Sequence, residues 1–151
     1  MSNPSKAKGT RYETALVDTI NDWIGDQSAC ERKVQKGSRD QGDIRLRYRD
    51  MEVAIEAKWS KSAPNKALED EFKRQTLRER DHAGADCGVL IVNRYRQSIM
   101  RTDVYMTQLT LATLRGWDVE DVEDEHSWVR ASLLDFLWTL YGAPAWEDRR
   151  D

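Results

Sequence analysis

The chain of 151 residues contains no apolar run near the 18 or more residues that a membrane-spanning helix needs. Its first eight residues, MSNPSKAK, contain no apolar segment of the kind found in a secretory signal peptide. We therefore expect no membrane partner, and a location in the cytosol.

Residues that build disulfide scaffolds and histidine metal centres are also scarce. The two cysteines, Cys30 and Cys87, are far apart in the sequence and have no recognisable catalytic partner. The two histidines, His82 and His126, lack the spacing of a metal-ligand pair. We expect reduced thiols and assign no role to these four residues.

Charge is unevenly distributed along the chain, although the net value is only -3. Residues 1–116 hold 21 Lys and Arg against 17 Asp and Glu, a balance of +4, whereas residues 117–151 hold 3 against 10, a balance of -7. The densest basic stretch is residues 32–49, with seven cations and two acids. Such a patch can bind phosphate whatever the charge of the whole chain, although a solvated strand surface would have the same composition.

The pattern of apolar residues predicts a single α/β domain. Helices are expected at residues 10–24, 66–83, 109–115 and 127–141, and strands at 29–34, 43–48, 52–59, 87–92 and 103–108. The predicted order is α-β-β-β-α-β-β-α-α, a mixed central sheet flanked by helices. Residues 1–9 are expected to form a flexible basic arm, residues 10–116 the core, and residues 117–151 an acidic connector and a final helix.

The predicted hairpin of residues 43–59 places charged residues in unusual positions. If its turn is centred near Arg49 and Asp50, Asp43 lies directly opposite Glu56 on the neighbouring strand. Lys58, two residues further, points to the same face as Glu56. Two carboxylates and an ammonium therefore meet at one strand end, although a simple ion pair would explain Glu56 and Lys58 alone.

A third carboxylate, Glu13, lies on the face that the first helix must bury. Hard cations such as Mg²⁺ are bound by carboxylates and backbone carbonyls, and the carbonyl of Ala57 is the natural backbone ligand. We prefer a metal site formed by Asp43, Glu56, Ala57 and Glu13 to the simple ion pair.

Four short segments together resemble a known family. They are KGTRYE at residues 8–13, GS at 37–38, GDI at 42–44 and IEAK at 55–58. In this order they resemble the PD-(D/E)xK nucleases, most closely the archaeal-type Holliday-junction resolvases and their phage relatives. The resemblance covers residues 6–93; it departs at Gly42, where the family name has proline, and it does not extend beyond Gly116.

The resemblance implies a restriction-endonuclease-like α/β fold and Mg²⁺-dependent hydrolysis of DNA, with Mn²⁺ as a possible substitute and no small-molecule cofactor. Asp43 and Glu56 would bind the metal, Glu13 would complete the site, and Lys58 would polarise the attacking water. Ser38 would lie near the scissile phosphate, or be an ordinary turn residue. Gln75 is a second-rank candidate, for which a satisfied core amide is the simpler interpretation.

The implied partner is branched or duplex DNA in a prokaryotic or phage-infected cell, with Holliday-junction resolution and DNA recombination or repair as the first expectation. Other nucleases of the same fold, acting on flaps, nicks or restriction sites, and an inactive DNA-binding module remain alternatives. A homodimer is expected, because a junction has two-fold symmetry and the final helix is rich in apolar residues. The expected DNA contacts are Lys8, Arg11, Arg32, Lys33, Lys36, Arg39, Arg45, Trp59, Arg74 and Arg78.

Overall fold

The structure is a computed structural model that describes residues 4–33, 43–94, 96–119 and 127–148. The elements in chain order are helix α1 (Pro4–Ile24), strands β1 (Cys30–Lys33), β2 (Asp43–Tyr48) and β3 (Met51–Ser60), helix α2 (Lys66–Ala83), strand β4 (Cys87–Arg94), a 3₁₀ turn (Ile99–Arg101), strand β5 (Asp103–Thr107), helix α3 (Gln108–Arg115), strand β6 (Trp128–Ser132), and helices α4 (Leu133–Tyr141) and α5 (Ala145–Asp148).

The described strands form one mixed sheet whose order follows the chain, β1-β2-β3-β4-β5-β6. β3 and β4 are parallel, and the other neighbouring pairs are antiparallel. A parallel pair needs a crossover, which α2 provides. Asn65 caps the start of α2 by accepting a hydrogen bond from the backbone N–H of Leu68, and Gly84 ends the helix in the left-handed conformation, with φ of 63°.

Helices cover both sides of the sheet. On the side that we call the α1 face, Leu16 and Ile20 of α1 and Leu137 of α4 pack on strand residues such as Ile55 to form the main core. On the other side, the α2 face, Phe72 of α2 packs on a small cluster that includes Leu90. The predicted α/β class with a mixed sheet flanked by helices is therefore confirmed.

The observed order follows the predicted one from α1 to α3. The first difference is that α1 begins at Pro4 and not at residue 10, so most of the segment expected to be a flexible arm is helical. Proline is compatible with the first turn of a helix, because the N–H that it lacks would have no partner inside the helix there.

The second difference is at the C-terminal end, where the helix predicted for residues 127–141 is wrong in its first part. Trp128–Ser132 is the edge strand β6, paired with β5, and α4 begins only at Leu133. Ser132 caps α4 by accepting a hydrogen bond from the backbone N–H of Asp135. Pairing with β5 overrides an apolar pattern that fitted a helix. The acidic connector predicted near residues 118–125 lies largely outside the described residues.

None of the helices in the described ranges combines the length and the apolar character required to cross a membrane.

Candidate active site

The β2–β3 hairpin has the predicted register. Tyr48 pairs with Met51 next to the turn, and Ile44 pairs with Ile55 at the other end. Continued by one residue along each strand, this register would set Asp43 opposite Glu56. Asp43 is the first residue of β2, and its side chain lies outside the described part of the structure.

Glu56 and Lys58 form an ion pair on the α2 face of β3. Lys58 Nζ is 2.9 Å from Glu56 Oε1, and the side chain of Glu56 is only 9% exposed. The ammonium of Lys58 also lies 5.3 Å from the centre of the Phe72 ring of α2. Moving a carboxylate out of water costs several kcal/mol, so a buried Glu56 needs this compensating cation.

Glu13 does not join this pair. Its Oε2 accepts a hydrogen bond from Arg32 Nε at 2.8 Å, which links α1 to β1 on the α1 face. Glu56 and Lys58 are on the α2 face, so β3 separates them from Glu13. The prediction that Glu13 completes the site is therefore not supported. Arg32, expected to contact DNA, shares the same face as Cys30 and reaches Glu13 instead.

Arg45, another expected DNA contact, is 7% exposed. Its guanidinium lies 3.5 Å from a Glu52 carboxylate oxygen and 3.7 Å from one of Glu79. Arg45 therefore joins the hairpin to α2, and we remove it from the DNA-contacting set. A sequence cannot reveal this, because Glu79 is brought close only by the packing of α2.

Trp59 points to the side opposite Lys58. It is partly buried and packs against the main core, together with its neighbour Ala57. Packing against the core is the contact that the structure shows for Trp59, and stacking on a DNA base stays a prediction.

The two remaining expected DNA contacts on α2, Arg74 and Arg78, share the carboxylate of Glu71. Arg74 and Arg78 both pair with Glu71, at 2.8 and 3.2 Å, and these pairs lower the pKa of that carboxyl group. Gln75 donates a hydrogen bond to Glu71 at 3.4 Å, so it is not a buried core amide. The two guanidinium groups are about two-thirds exposed and face solvent.

Arg11 is exposed, and Lys33 is half-exposed with its ammonium 3.7 Å from Glu52. The remaining expected site residues lie outside the part of the chain whose side chains are described: Lys8, Lys36, Ser38 and Arg39.

Both cysteines are buried and free. Burial, with smaller contributions from Glu31 and Asp86, raises the pKa of Cys30 to about 12 and that of Cys87 to about 11. A protonated, enclosed thiol is a poor nucleophile. This agrees with assigning them no catalytic role.

The described side chains include no group of three acidic, histidine or cysteine residues able to hold a metal ion. Glu56 offers one hard oxygen ligand, of the kind that Mg²⁺ prefers, and the hairpin register, if continued by one residue, would bring the backbone of Asp43 opposite it. These donor types would fit Mg²⁺ if Asp43 supplied a second carboxylate.

Comparison with known proteins finds no match to this chain among protein-family models, curated proteins or solved structures.

Proposed function

We propose that the protein is a Mg²⁺-dependent DNA endonuclease of the PD-(D/E)xK type, and that a four-way junction is its first candidate substrate. The observation that carries the proposal is the ion pair of Glu56 and Lys58 on the α2 face of β3, at the level where Asp43 begins β2. A carboxylate and an ammonium so close together, with a second carboxylate residue opposite, provide the groups needed to hydrolyse a phosphodiester.

The residues would divide the work as follows. Glu56, Asp43 and the carbonyl of Ala57 would hold Mg²⁺, or Mn²⁺ in its place. The bound ion would supply a water of lowered pKa and neutralise charge on the phosphoryl oxygens. Lys58, whose position is fixed by Glu56 and by the Phe72 ring, would stabilise negative charge that develops on the attacking oxygen. Glu13 receives no ligand role, because Arg32 holds its carboxylate on the other face.

A second candidate function is a DNA-binding module without activity. The observation in its favour is that Lys58 already neutralises Glu56, as in a purely structural ion pair. Nucleases of the same type that cut flaps, nicks or restriction sites are the alternatives within the enzyme class.

We also propose a homodimer, since paired cuts on opposing strands need two active sites related by a two-fold axis. On α4, Leu133 and Leu137 are buried, whereas Leu134 and Trp138 remain 40% and 47% exposed. Trp138→Glu should therefore convert a dimer to a monomer in light scattering at micromolar concentration. A wild-type monomer that makes symmetric paired cuts would contradict the preformed dimer.

The test of the function is an assay of the purified chain with Mg²⁺ on labelled four-way, flap, duplex and single-stranded DNA. We expect cleavage of the four-way junction, and its loss in EDTA or in Glu56→Gln. The matched control is Asp81→Asn, which should retain the wild-type rate. The side chain of Asp81 is 68% exposed, and Asp81 is far from Glu56 along the chain. Absence of cleavage of every DNA, with binding intact, would favour the inactive module.

A further inference from the structure

A small basic pocket lies just beyond the ends of β3 and β4. Its volume is about 280 Å³, and it opens between the loop that follows β3 and the loop that follows β4. Three of the described residues that line the pocket are cations. None of the described lining residues is acidic or aromatic. The described lining residues are Lys61, Ser62, Ala63, Arg94, Arg96 and Gln97.

The pocket is on the same face and at the same end of the sheet as the candidate active site. In the parallel ladder of β3 and β4, Lys58 is level with Val92 and Ser60 is level with Arg94. Alternation along the strands places Lys58, Ser60 and Arg94 on one face. At about 3.3 Å per residue, Arg94 lies roughly 7 Å along the strand direction from the level of Lys58.

The loop after β4 is held in a closed turn. The backbone N–H of Arg94 donates to the side-chain oxygen of Gln97, and the backbone N–H of Gln97 donates to the carbonyl of Arg94. Arg96 has a φ of 63°, a conformation uncommon for a residue with a side chain. Two arginines are thereby kept at one short turn, despite their mutual repulsion.

The guanidinium of Arg94 is only weakly paired. One end of its guanidinium lies 3.7 Å from Asp103, a long ion pair, and the side chain is 40% exposed, although its Nε is buried. A guanidinium carries five N–H donors, which suit phosphate oxygens. The side chains of Ser62 and Gln97 add neutral donors at the same place.

We propose that this pocket binds a backbone phosphate of DNA next to the phosphodiester that lies against Lys58; this inference rests on the proposed nuclease function. Because Arg94 is offset by roughly 7 Å along the strands from the level of Lys58, we assign the pocket to a neighbouring phosphate and not to the scissile one. With no aromatic or acidic group among the described lining residues, the contact would position DNA without selecting its sequence.

The test uses a variant that lacks two cations of the pocket but keeps its backbone conformation. In the double variant Lys61→Gln and Arg96→Asn, asparagine is chosen because it tolerates a positive φ better than most residues. Binding of labelled four-way DNA is measured by fluorescence anisotropy in Ca²⁺ over a range of salt concentrations, and cleavage is measured in Mg²⁺. The matched control is Arg115→Ala with Arg130→Ala, two exposed cations that carry the same charge, lie outside the basic stretch of residues 32–49 and do not line the pocket.

We expect the pocket variant to bind roughly tenfold more weakly per cation removed at low salt, and to lose about 0.9 per cation from the slope of log K against log salt. The control should keep most of the wild-type slope. Lys61→Arg should bind like the wild type, and melting curves should show both double variants folded.

The outcomes separate the two proposals. Pocket-dependent binding without any cleavage would overturn the nuclease function and keep the phosphate site. Cleavage and binding by the pocket variant equal to those of the control would overturn the phosphate site and keep the nuclease. A wild type that neither binds nor cuts DNA would overturn both.

Discussion

The two faces of the sheet are filled in different ways. The α1 face is lined by an extended apolar core in which Leu16, Ile20, Ile55 and Leu137 are completely buried. The α2 face has a small apolar cluster around Leu90, surrounded by charged groups. Buried apolar surface stabilises a fold, whereas buried charges cost free energy unless they are paired. The α1 face therefore provides most of the stability, and our proposal places the function on the α2 face.

The largest expected effect is on activity at the α2 face. Glu56→Gln or Lys58→Met should lower the cleavage rate by about a hundredfold or more, because charge stabilisation of the transition state is lost. Cleavage of the four-way DNA under single-turnover conditions measures it. Activity retained by either variant would mean that this ion pair only stabilises the fold.

The same two variants separate the effect of the ion pair on the free energy of unfolding from its effect on cleavage. Lys58→Met leaves Glu56 buried without its cation and should lower the free energy of unfolding by about 3 kcal/mol. The double variant Glu56→Gln with Lys58→Met should recover much of that loss while remaining inactive. Chemical denaturation of the three proteins gives the comparison, and a double variant less stable than Lys58→Met would oppose our account of the pair.

On the α1 face, Leu137→Ala should lower the free energy of unfolding by about 2–5 kcal/mol, because it removes a fully buried side chain and leaves a cavity. At a temperature where it stays folded, its cleavage rate should remain close to that of the wild type. A selective loss of cleavage in a folded Leu137→Ala protein would show that the two faces are not independent.

Glu13→Gln is expected to have a smaller effect on stability, about 1–2 kcal/mol, because it removes one charge from a partly buried pair with Arg32. The cleavage rate per folded molecule should be unchanged. A loss of cleavage similar to that of Glu56→Gln, with stability unchanged, would return Glu13 to the active site.

The last prediction of this group concerns the two thiols of the α1 face and needs no substitution. Since burial raises the pKa of Cys30 to about 12 and that of Cys87 to about 11, the thiolate fraction at pH 8 is very small. Labelling of the native protein should be at least about a hundredfold slower than that of a free thiol. Rapid labelling without unfolding would show that this face is more open than described.

The hairpin register could be predicted from the sequence because it depends on a short turn and on local alternation. The turn near Arg49 and Asp50 fixes which residues are opposite each other, and Glu56 and Lys58 then share a face. The apolar run at β4 was equally clear, since it is buried on both sides.

The features that the sequence does not predict depend on contacts between segments that are distant in the chain. The sequence makes Arg45 an expected DNA contact, because its partner Glu79 belongs to a helix more than thirty residues away in the chain. Glu13 was expected to join Glu56, but the side of the sheet that α1 covers decides that it meets Arg32. Strand β6 was predicted as helix because its pairing with β5 is not visible in its own apolar pattern.

The most direct test of the candidate active site is to measure both DNA binding and DNA cleavage by the Asp43→Asn variant. This variant changes the residue that we expect opposite Glu56. Binding of four-way DNA and its cleavage in Mg²⁺ are measured on the same preparation as the wild type. Our account predicts binding as tight as or tighter than that of the wild type, because a negative charge facing phosphate is removed, and no detectable cleavage. Wild-type cleavage by Asp43→Asn would contradict it.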